Sequence, residues 1–418
     1  MKNLKIYAKT IEEDAIKQID NLMEQESFKN EKIRIMPDVH SGSGCVIGFT
    51  STIGDKIIPN IVGVDLYCGM YLVELGNINL DLSKIDEIIN ENVPSGFNVH
   101  EKMAVDDELN DLYKKIENMK CFKYLNYGSQ IKNGVGTLGG GNHFIEIDED
   151  DDGVKYLVIH TGSRNLGNQV ARIYMNKAVE NCHGEELSKE DRKELIKKMK
   201  EEGRALEIEE VLKKAKKEAK NKYIDKDLCY LEGEDKANYL SDIKVCYTYA
   251  HLNRQRIALT ILKAIFDNVK IVSDEIYVNN QKLNSFETLH NYIDLDNNLI
   301  RKGAISAQKG ELVLIPINMR DGSLICKGLG NKDWNFSAPH GAGRLMSRKK
   351  AKETIDLEMY KESMKDIYSS TVCATTIDEA PQAYKSIDEI KGCIKPTVKI
   401  IKQIKPIYNF KATDEQFY

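Results

Sequence analysis

The chain has 418 residues, 41% of them hydrophobic and 30% charged, an ordinary globular balance with enough apolar mass for a large core. A formal charge of −5 and a pI near 6.0 exclude a surface coated in positive charge, so any contact with nucleic acid has to be local. Nine cysteines, an odd number without a CxxC pair, exclude a disulfide framework and a zinc ribbon and suggest a reducing compartment.

The first segment, MKNLKIYAKTIEED, lacks an apolar run followed by small residues. No stretch further on is long enough to span a bilayer, so a soluble cytoplasmic protein without membrane contact is expected. Residues 10–27 and 101–120 carry apolar side chains at helical spacing. Lys32–Met36, Cys45–Thr50, Met70–Leu75 and Lys155–Thr161 are short β-rich runs, each beside a Gly-rich or polar turn. Residues 185–222 are densely charged and helix-prone, broken near Gly203, which predicts a protruding helical insertion without chemistry of its own. Lys236–Phe266 predicts a further helix, and Arg301–Ala307 and Glu311–Ile317 predict strands. No proline- or serine-rich boundary divides the chain, so the expected fold is a single α+β domain over residues 1–418. Two basic stretches, Arg344–Lys352 and Lys395–Lys411, could meet RNA phosphates or could equally be a solvated helix face and an edge strand.

Four of the eight histidines stand in distinctive, mostly glycine-rich segments: GTLGGGNHFIE around His143, VIHTGSRNLG around His160, ETLHNYI around His290 and APHGAGR around His340. A fifth segment, VGVDLYCG, places Asp65 three residues before Cys68. Asp, Cys and His are the side chains that hold divalent transition metals, and a thiolate can bridge two ions. Glycines beside them let the backbone approach a phosphate. One DxxC or one such histidine is weak evidence, but together Asp65, Cys68, His143, His160 and His290 would suit a pair of Mn(II) or Zn(II) ions. His143 sits at the mouth of a predicted strand beside Asn142, and Arg164 follows His160 as a candidate anion clamp. His340 is flanked by small residues, with Arg344 and Arg348 close behind, a setting for a nucleophilic imidazole that attacks phosphorus; the plainer alternatives are a further ligand or a turn residue. His40, two residues after Asp38, is a candidate acid/base or anion contact, whereas His100, His183 and His251 are expected on the surface or on helices. No GxxxxGK[ST] loop occurs, so the chain is not an ordinary P-loop NTPase.

These segments, spread nearly end to end, resemble the RtcB family of RNA ligases, which join RNA 3′-phosphate or 2′,3′-cyclic phosphate ends to 5′-hydroxyl ends using GTP and Mn(II). The resemblance implies mixed β-sheets around a central metal and nucleotide cleft. It makes Asp65, Cys68, His143, His160 and His290 the ligands of two manganese ions, with Cys68 shared, and His340 the residue that takes GMP from GTP. It also implies nucleotide contacts at Asn142, Phe144, Glu146, Asn318, Ser323, Ala338, Gly341, Ala342, Gly343, Arg344, Tyr384 and Lys411, and Glu379 matches a further family position. The implied substrates are tRNA or rRNA fragments in RNA repair or tRNA splicing, with an archease-like activator as a partner. Two departures bear on substrate choice: PINMRDGS (Pro316–Ser323) stands where the family commonly has PGSMG, and HSGSG (His40–Gly44) where it has HLGKG. They favour a repair-type paralogue. The competing readings are a binuclear phosphoesterase that trims cyclic-phosphate ends without joining them and a non-catalytic RNA-binding module.

Overall fold

The computed structural model describes residues 3–183, 189–202, 204, 207–208, 210–212, 224–272 and 274–412. Its frame is a seven-stranded sheet in the order β10 (Ser285–Leu289), β4 (Gly69–Gly76), β6 (Lys155–Thr161), β5 (Phe144–Glu149), β17 (Val398–Lys411), β15 (Gly322–Gly328) and β14 (Leu312–Asn318). Every neighbouring pair is antiparallel. The two outermost strands meet where the Leu314 amide donates to Thr288 Oγ1 at 3.0 Å, so the sheet nearly closes on itself.

Both faces of this sheet are covered, which explains why β4, β5 and β6 read as almost continuous apolar runs. Side chains alternate between the faces. Met70, Leu72, Phe144, Tyr156 and Val158 turn inward with Leu314, Ile325 and Ile404. Tyr71, Val73, Ile145, Ile147, Leu157 and Ile159 turn outward against Ile257, Ile261 and Leu262 of a 33-residue helix.

A second, mixed sheet runs β1 (Leu4–Ile6), β2 (Ile33–His40), β3 (Ile47–Thr52), β12 (Leu299–Lys302) and β11 (Asn291–Asp294), with only β1 and β2 parallel. Two small sheets complete the strands, one of β13 (Ala304–Ser306) with β16 (Ser337–Pro339), the other of β7 (Val269–Val272), β8 (Glu275–Val278) and β9 (Gln281–Lys282). The helices that matter for the site are α1 (Glu13–Met23), α2 (Pro59–Val62), α3 (Leu82–Asn92), α4 (Asp107–Glu117), α5 (Ser129–Lys132), α6 (Arg164–His183), α7 (Lys189–Glu201), α8 (Gly233–Ile265) and α9 (Arg348–Thr354). The α+β class holds. Among the described residues no helix is long and apolar enough to cross a membrane.

The predicted helices shorten at their ends: α1 and α4 occupy the middles of 10–27 and 101–120, where Asp106 caps α4 by accepting from the Leu109 amide at 3.0 Å. The predicted helix over Lys236–Phe266 is α8. Of the predicted hairpin at 185–222, α7 supplies the first arm, and most of the second lies outside the described residues.

Two expectations needed revision. Arg301–Ala307 is not one strand, because Gly303 at φ +59° breaks it into β12 and β13, which belong to different sheets. A Cβ at Gly303 would lie 2.1 Å from an Ile47 methyl and 3.3 Å from the His340 ring, so glycine is required where the chain passes that histidine. Lys395–Lys411 is neither an edge strand nor a helix face, since β17 runs between β5 and β15. Its proline is tolerated because the register shifts between Pro406 and Tyr408. That shift also exchanges the faces: Ile404 points inward, but after it Tyr408 and Phe410 point outward and Asn409 and Lys411 turn to the cleft.

Candidate active site

Each candidate metal ligand lies at or beside a strand end. Cys68 precedes β4, His143 precedes β5, His160 is the penultimate residue of β6, and His290 sits between β10 and β11. The strands' antiparallel pairing therefore carries residues over 200 positions apart to one end of the sheet. Asp65 and Cys68 ride on a turn in which Tyr67 adopts φ +57°, a conformation a bulky residue takes only when held. It is held by its amide, which donates to Asn291 O at 2.8 Å, while the His290 amide donates to Cys68 O at 3.0 Å.

The five predicted ligands converge. Cys68 Sγ lies 3.2 Å from His160 Nε2 and 3.4 Å from His143 Nε2. His160 Nε2 lies 3.3 Å from His290 Nε2, and His143 Nε2 lies 3.4 Å from Asp65 Oδ2. The donor atoms fall into two groups, Cys68 with His160 and His290, and Asp65 with Cys68 and His143, so the sulfur is common to both.

The hydrogen bonds behind the rings show what this cluster lacks. His143 Nδ1 meets Leu138 O at 2.9 Å and His160 Nδ1 meets Asn142 O at 3.1 Å. A carbonyl can only accept, so His160, whose Nε2 faces Cys68 and His290, carries its proton on Nδ1 and presents a bare Nε2 lone pair to the cluster, whereas His143 Nε2 also faces the Asp65 carboxylate. Burial, reinforced by neighbouring imidazoles, holds His160 and His290 well below the ordinary histidine range, which keeps both neutral. Burial opposes ionisation of Asp65, but His143 beside it draws its carboxyl well below the usual range. Burial and the Asp65 carboxylate push the Cys68 thiol well above its usual value, a shift that a cation would reverse. Three imidazoles, one carboxylate and one thiol converging within bonding distance of one another are a donor set that fits a cation, and Nδ1 to carbonyl bonds are the usual way such imidazoles are oriented.

His340 lies on the opposite side of His290, with ring centroids 5.3 Å apart. Its Nδ1 is 2.7 Å from Oδ2 of Asp38, which also accepts from the His340 amide at 3.2 Å. Asp38 is fully buried and comes from β2, 302 positions away. The carboxylate favours the proton on Nδ1 and leaves the Nε2 lone pair free, the arrangement of an Asp-His pair. The sequence had placed Asp38 only beside His40, so this partnership was missed. The positive charges expected near His340 are engaged elsewhere, because Arg344 and Arg348 both bond Glu379 and Asp378.

His340, His160 and His290 share a cavity of about 250 Å³ with Asn142, Phe144, Glu146, Asn318, Gly341, Ala342, Gly343, Arg344, Tyr384 and Lys411. Ser323 and Ala338 do not reach it: Ser323 is buried on β15 opposite Pro316, and Ala338 packs in the core with Ile315 and Ile317. His40 does line the cavity, its Nδ1 2.9 Å from Asp38 O, and burial lowers its pKa. Arg164, the candidate anion clamp, lies beside His143, its guanidinium bonding Gly96 O at 3.2 Å and Thr137 Oγ1 at 3.4 Å. Glu379 is a hub that sequence reasoning left without a role. One carboxylate oxygen meets Lys411 at 3.0 Å and the Tyr384 hydroxyl at 2.8 Å, the other Arg348 at 2.5 Å and Arg344 at 3.3 Å. Burial opposes its charge, but Lys411 and the two arginines hold its pKa near 2. Opposite it, burial raises Glu146 despite Lys411 and the 2.6 Å bond from Asn409. Of the two departures, Asn318 spends its side chain on the β14–β15 turn, accepting from the amides of Arg320 and Asp321, and Arg320 pairs with Asp321. In the HSGSG loop, Lys302 donates to Ser43 O from below.

A family model described as tRNA-splicing ligase RtcB matches residues 18–412. The chain belongs to the RtcB family. Among its RtcB relatives, the RNA-splicing ligase RtcB of Escherichia coli K12 is 28% identical over 442 residues, covering 96% of this chain and 95% of that protein. The tRNA-splicing ligase RtcB of Nanoarchaeum equitans is 27% identical, covering 90% and 87%, and that of Thermococcus kodakarensis 25%, covering 85% and 82%. RtcB membership thus spans both the cage and the cavity, from β2 to the end of β17.

Proposed function

We propose that this protein is a GTP- and Mn(II)-dependent RNA ligase that joins RNA 3′-phosphate or 2′,3′-cyclic phosphate ends to 5′-hydroxyl ends. We take residues 1–418 as one ligase domain and 185–222 as an insertion within it, and assign its work to repair of broken structured RNA, tRNA or rRNA, in the cytoplasm. An archease-like activator is a fitting partner. The observation that carries the reading is the juxtaposition of two unlike sites: a five-donor cage with a shared sulfur, whose His160 and His290 line the cavity, and beside it an imidazole oriented by a buried carboxylate.

On this reading Asp65, Cys68, His143, His160 and His290 would hold two manganese ions, which when bound would supply positive charge to offset that on phosphate oxygens. His340 Nε2 attacks the α-phosphorus of GTP; the P–N bond forms as pyrophosphate leaves. Asp38 stabilises the cationic ring that results. After water has opened any 2′,3′-cyclic end to a 3′-phosphate, an oxygen of the RNA 3′-phosphate attacks the same phosphorus, freeing His340, and the 5′-hydroxyl finally attacks the activated RNA phosphorus and releases GMP. Phe144, Tyr384, Glu146, Lys411 and Asn142 surround the space for the nucleotide, with the Gly341–Gly343 backbone close enough to approach its phosphate. Family membership, the RNA-ligase names of the relatives and the shared cavity support this assignment.

The test is incubation with α-labelled GTP and Mn(II). An acid-labile, hydroxylamine-resistant adduct is expected on the wild-type protein and not on His340→Ala. An adduct that persists in His340→Ala defeats the assignment, and GTP-independent turnover of cyclic-phosphate ends that survives the substitution would mark a phosphoesterase instead.

A further inference from the structure

The four segments that bring the cage together do not touch one another through their ligands alone. Behind them, two consecutive side chains of α8, Asn253 and Arg254, both fully buried, bond to all four. Asn253 Oδ1 accepts from the amides of Gly136 at 2.7 Å and Thr137 at 2.9 Å, at the start of the glycine-rich loop leading to His143. Its Nδ2 donates to Thr137 O at 3.1 Å, Gly162 O at 3.2 Å and Thr161 Oγ1 at 3.3 Å, the last two just after His160. Thr161 Oγ1 in turn donates to Leu138 O, the carbonyl that orients His143.

Arg254 takes the other half. Its Nη1 donates to Thr161 O at 2.6 Å and to Tyr67 O at 2.9 Å, and its Nε donates to Glu287 Oε1 at 2.6 Å. Tyr67 is the residue with positive φ immediately before Cys68, and Glu287 lies on β10 three residues before His290. The carbonyls that Arg254 holds therefore belong to residues adjacent to Cys68 and His160, and the carboxylate belongs to the strand that delivers His290.

We propose that Asn253 and Arg254 are positioning residues that hold the four ligand segments at metal-binding spacing, so that loss of either weakens cation binding beyond its effect on the fold. The inference rests on the metal-centre reading above. A planar guanidinium is suited to the task because its donors have fixed directions, whereas a lysine has one compact head group that cannot span the same three oxygens. The division of contacts predicts a division of effects. Arg254 alone holds the Cys68 and His290 segments, Asn253 alone the His143 loop, and both hold the segment just after His160.

The experiment titrates the full-length, metal-free protein with Co(II) alone, without GTP or RNA, and reads affinity and the thiolate-to-cobalt absorption of Cys68. Arg254→Gln and Asn253→Ser are compared with Ile261→Ala, a fully buried residue of the same helix that makes no bond to the ligand loops. Each variant's melting temperature is measured without metal. Arg254→Lys serves as the second variant should Arg254→Gln not fold. Co(II) affinity is expected to fall about 10- to 100-fold in the Arg254 and Asn253 variants, the range for groups that orient metal ligands. Ile261→Ala, at equal or greater loss of melting temperature, is expected to keep wild-type affinity and spectrum. Wild-type Co(II) affinity in the Arg254 and Asn253 variants, or an equal fall in Ile261→Ala, would overturn the proposal. Absence of any thiolate absorption in the wild-type protein would remove the metal centre itself and this inference with it, a result separate from the GTP adduct.

Discussion

The donor cage and the cavity wall around Glu379 are neighbours but meet their electrostatic requirements in opposite ways. In the cage, three imidazoles, a carboxylate and a thiol converge on one another, and carbonyls behind the rings orient His143 and His160. In the wall, Arg344, Arg348, Lys411 and Tyr384 converge on the buried carboxylate of Glu379, and Arg348 also pairs with Asp378, so each cation already has an anionic partner. The cage thus gathers donors without a cationic partner among the described side chains at its centre, whereas the wall is an ion network whose members already bond one another.

The comparison can be broken most decisively at the boundary between the two halves. His340→Ala is expected to lower ligation by on the order of 10⁴-fold or more, the scale of losing a covalent nucleophile, in a single-turnover assay with GTP and RNA. Asp38→Asn keeps the shape but lets the ring adopt the wrong tautomer, so guanylylation of His340 is expected to slow by roughly 10³- to 10⁴-fold while metal content stays unchanged. If both variants guanylylate at wild-type rates, the nucleophile is elsewhere.

On the cage side, Cys68→Ser is expected to weaken both cation sites together, because the sulfur belongs to both groups. Metal content after dialysis would show a loss of two ions; loss of one would mean the sulfur is not shared. On the wall side, Glu379→Gln leaves three cations facing each other in a buried network, at a cost of roughly 3–5 kcal/mol in urea unfolding. The acid limb of stability gives an independent reading. Because folding lowers the Glu379 pKa from 4.5 to about 2, its contribution is full above pH 4.5 and is lost as pH falls towards 2. The wild type is thus expected to lose stability across that window, and Glu379→Gln to show a shallower dependence there. The smallest effect belongs to Arg320→Ala. Its half-exposed pairing with Asp321 is worth about 0–1 kcal/mol, so a change in GTP KM beyond twofold would show that this departure from the family pattern reaches the ligand.

Much of the molecule was legible in its sequence where the physics is local. The strands Met70–Leu75 and Lys155–Thr161 stood out because both faces of the closing sheet are buried, and the five ligands and His340 stood out because glycine, histidine and cysteine were massed in a few short segments. Asn253 and Arg254, by contrast, read as ordinary polar residues of a long helix. Asp38 read as a neighbour of His40 and not as the partner of a histidine 302 positions away. Glu379 gave no sign that four side chains would gather on it, and Ser323 and Ala338 were expected at a cavity they do not reach.

By itself, then, the sequence determined which chemistry is present: the donor types, the family, the apolar periods and the glycines that let backbone pass close to a ligand. Only the tertiary structure decided which groups face each other. The register shift at Pro406 turns Lys411 into the cleft, the break at Gly303 lets the chain clear His340, and antiparallel pairing brings Cys68, His160 and His290 to one end of the sheet. Identity and spacing are properties of neighbouring residues, and one chain carries them in full. Convergence depends on strand order and register, which are fixed by contacts between segments hundreds of residues apart.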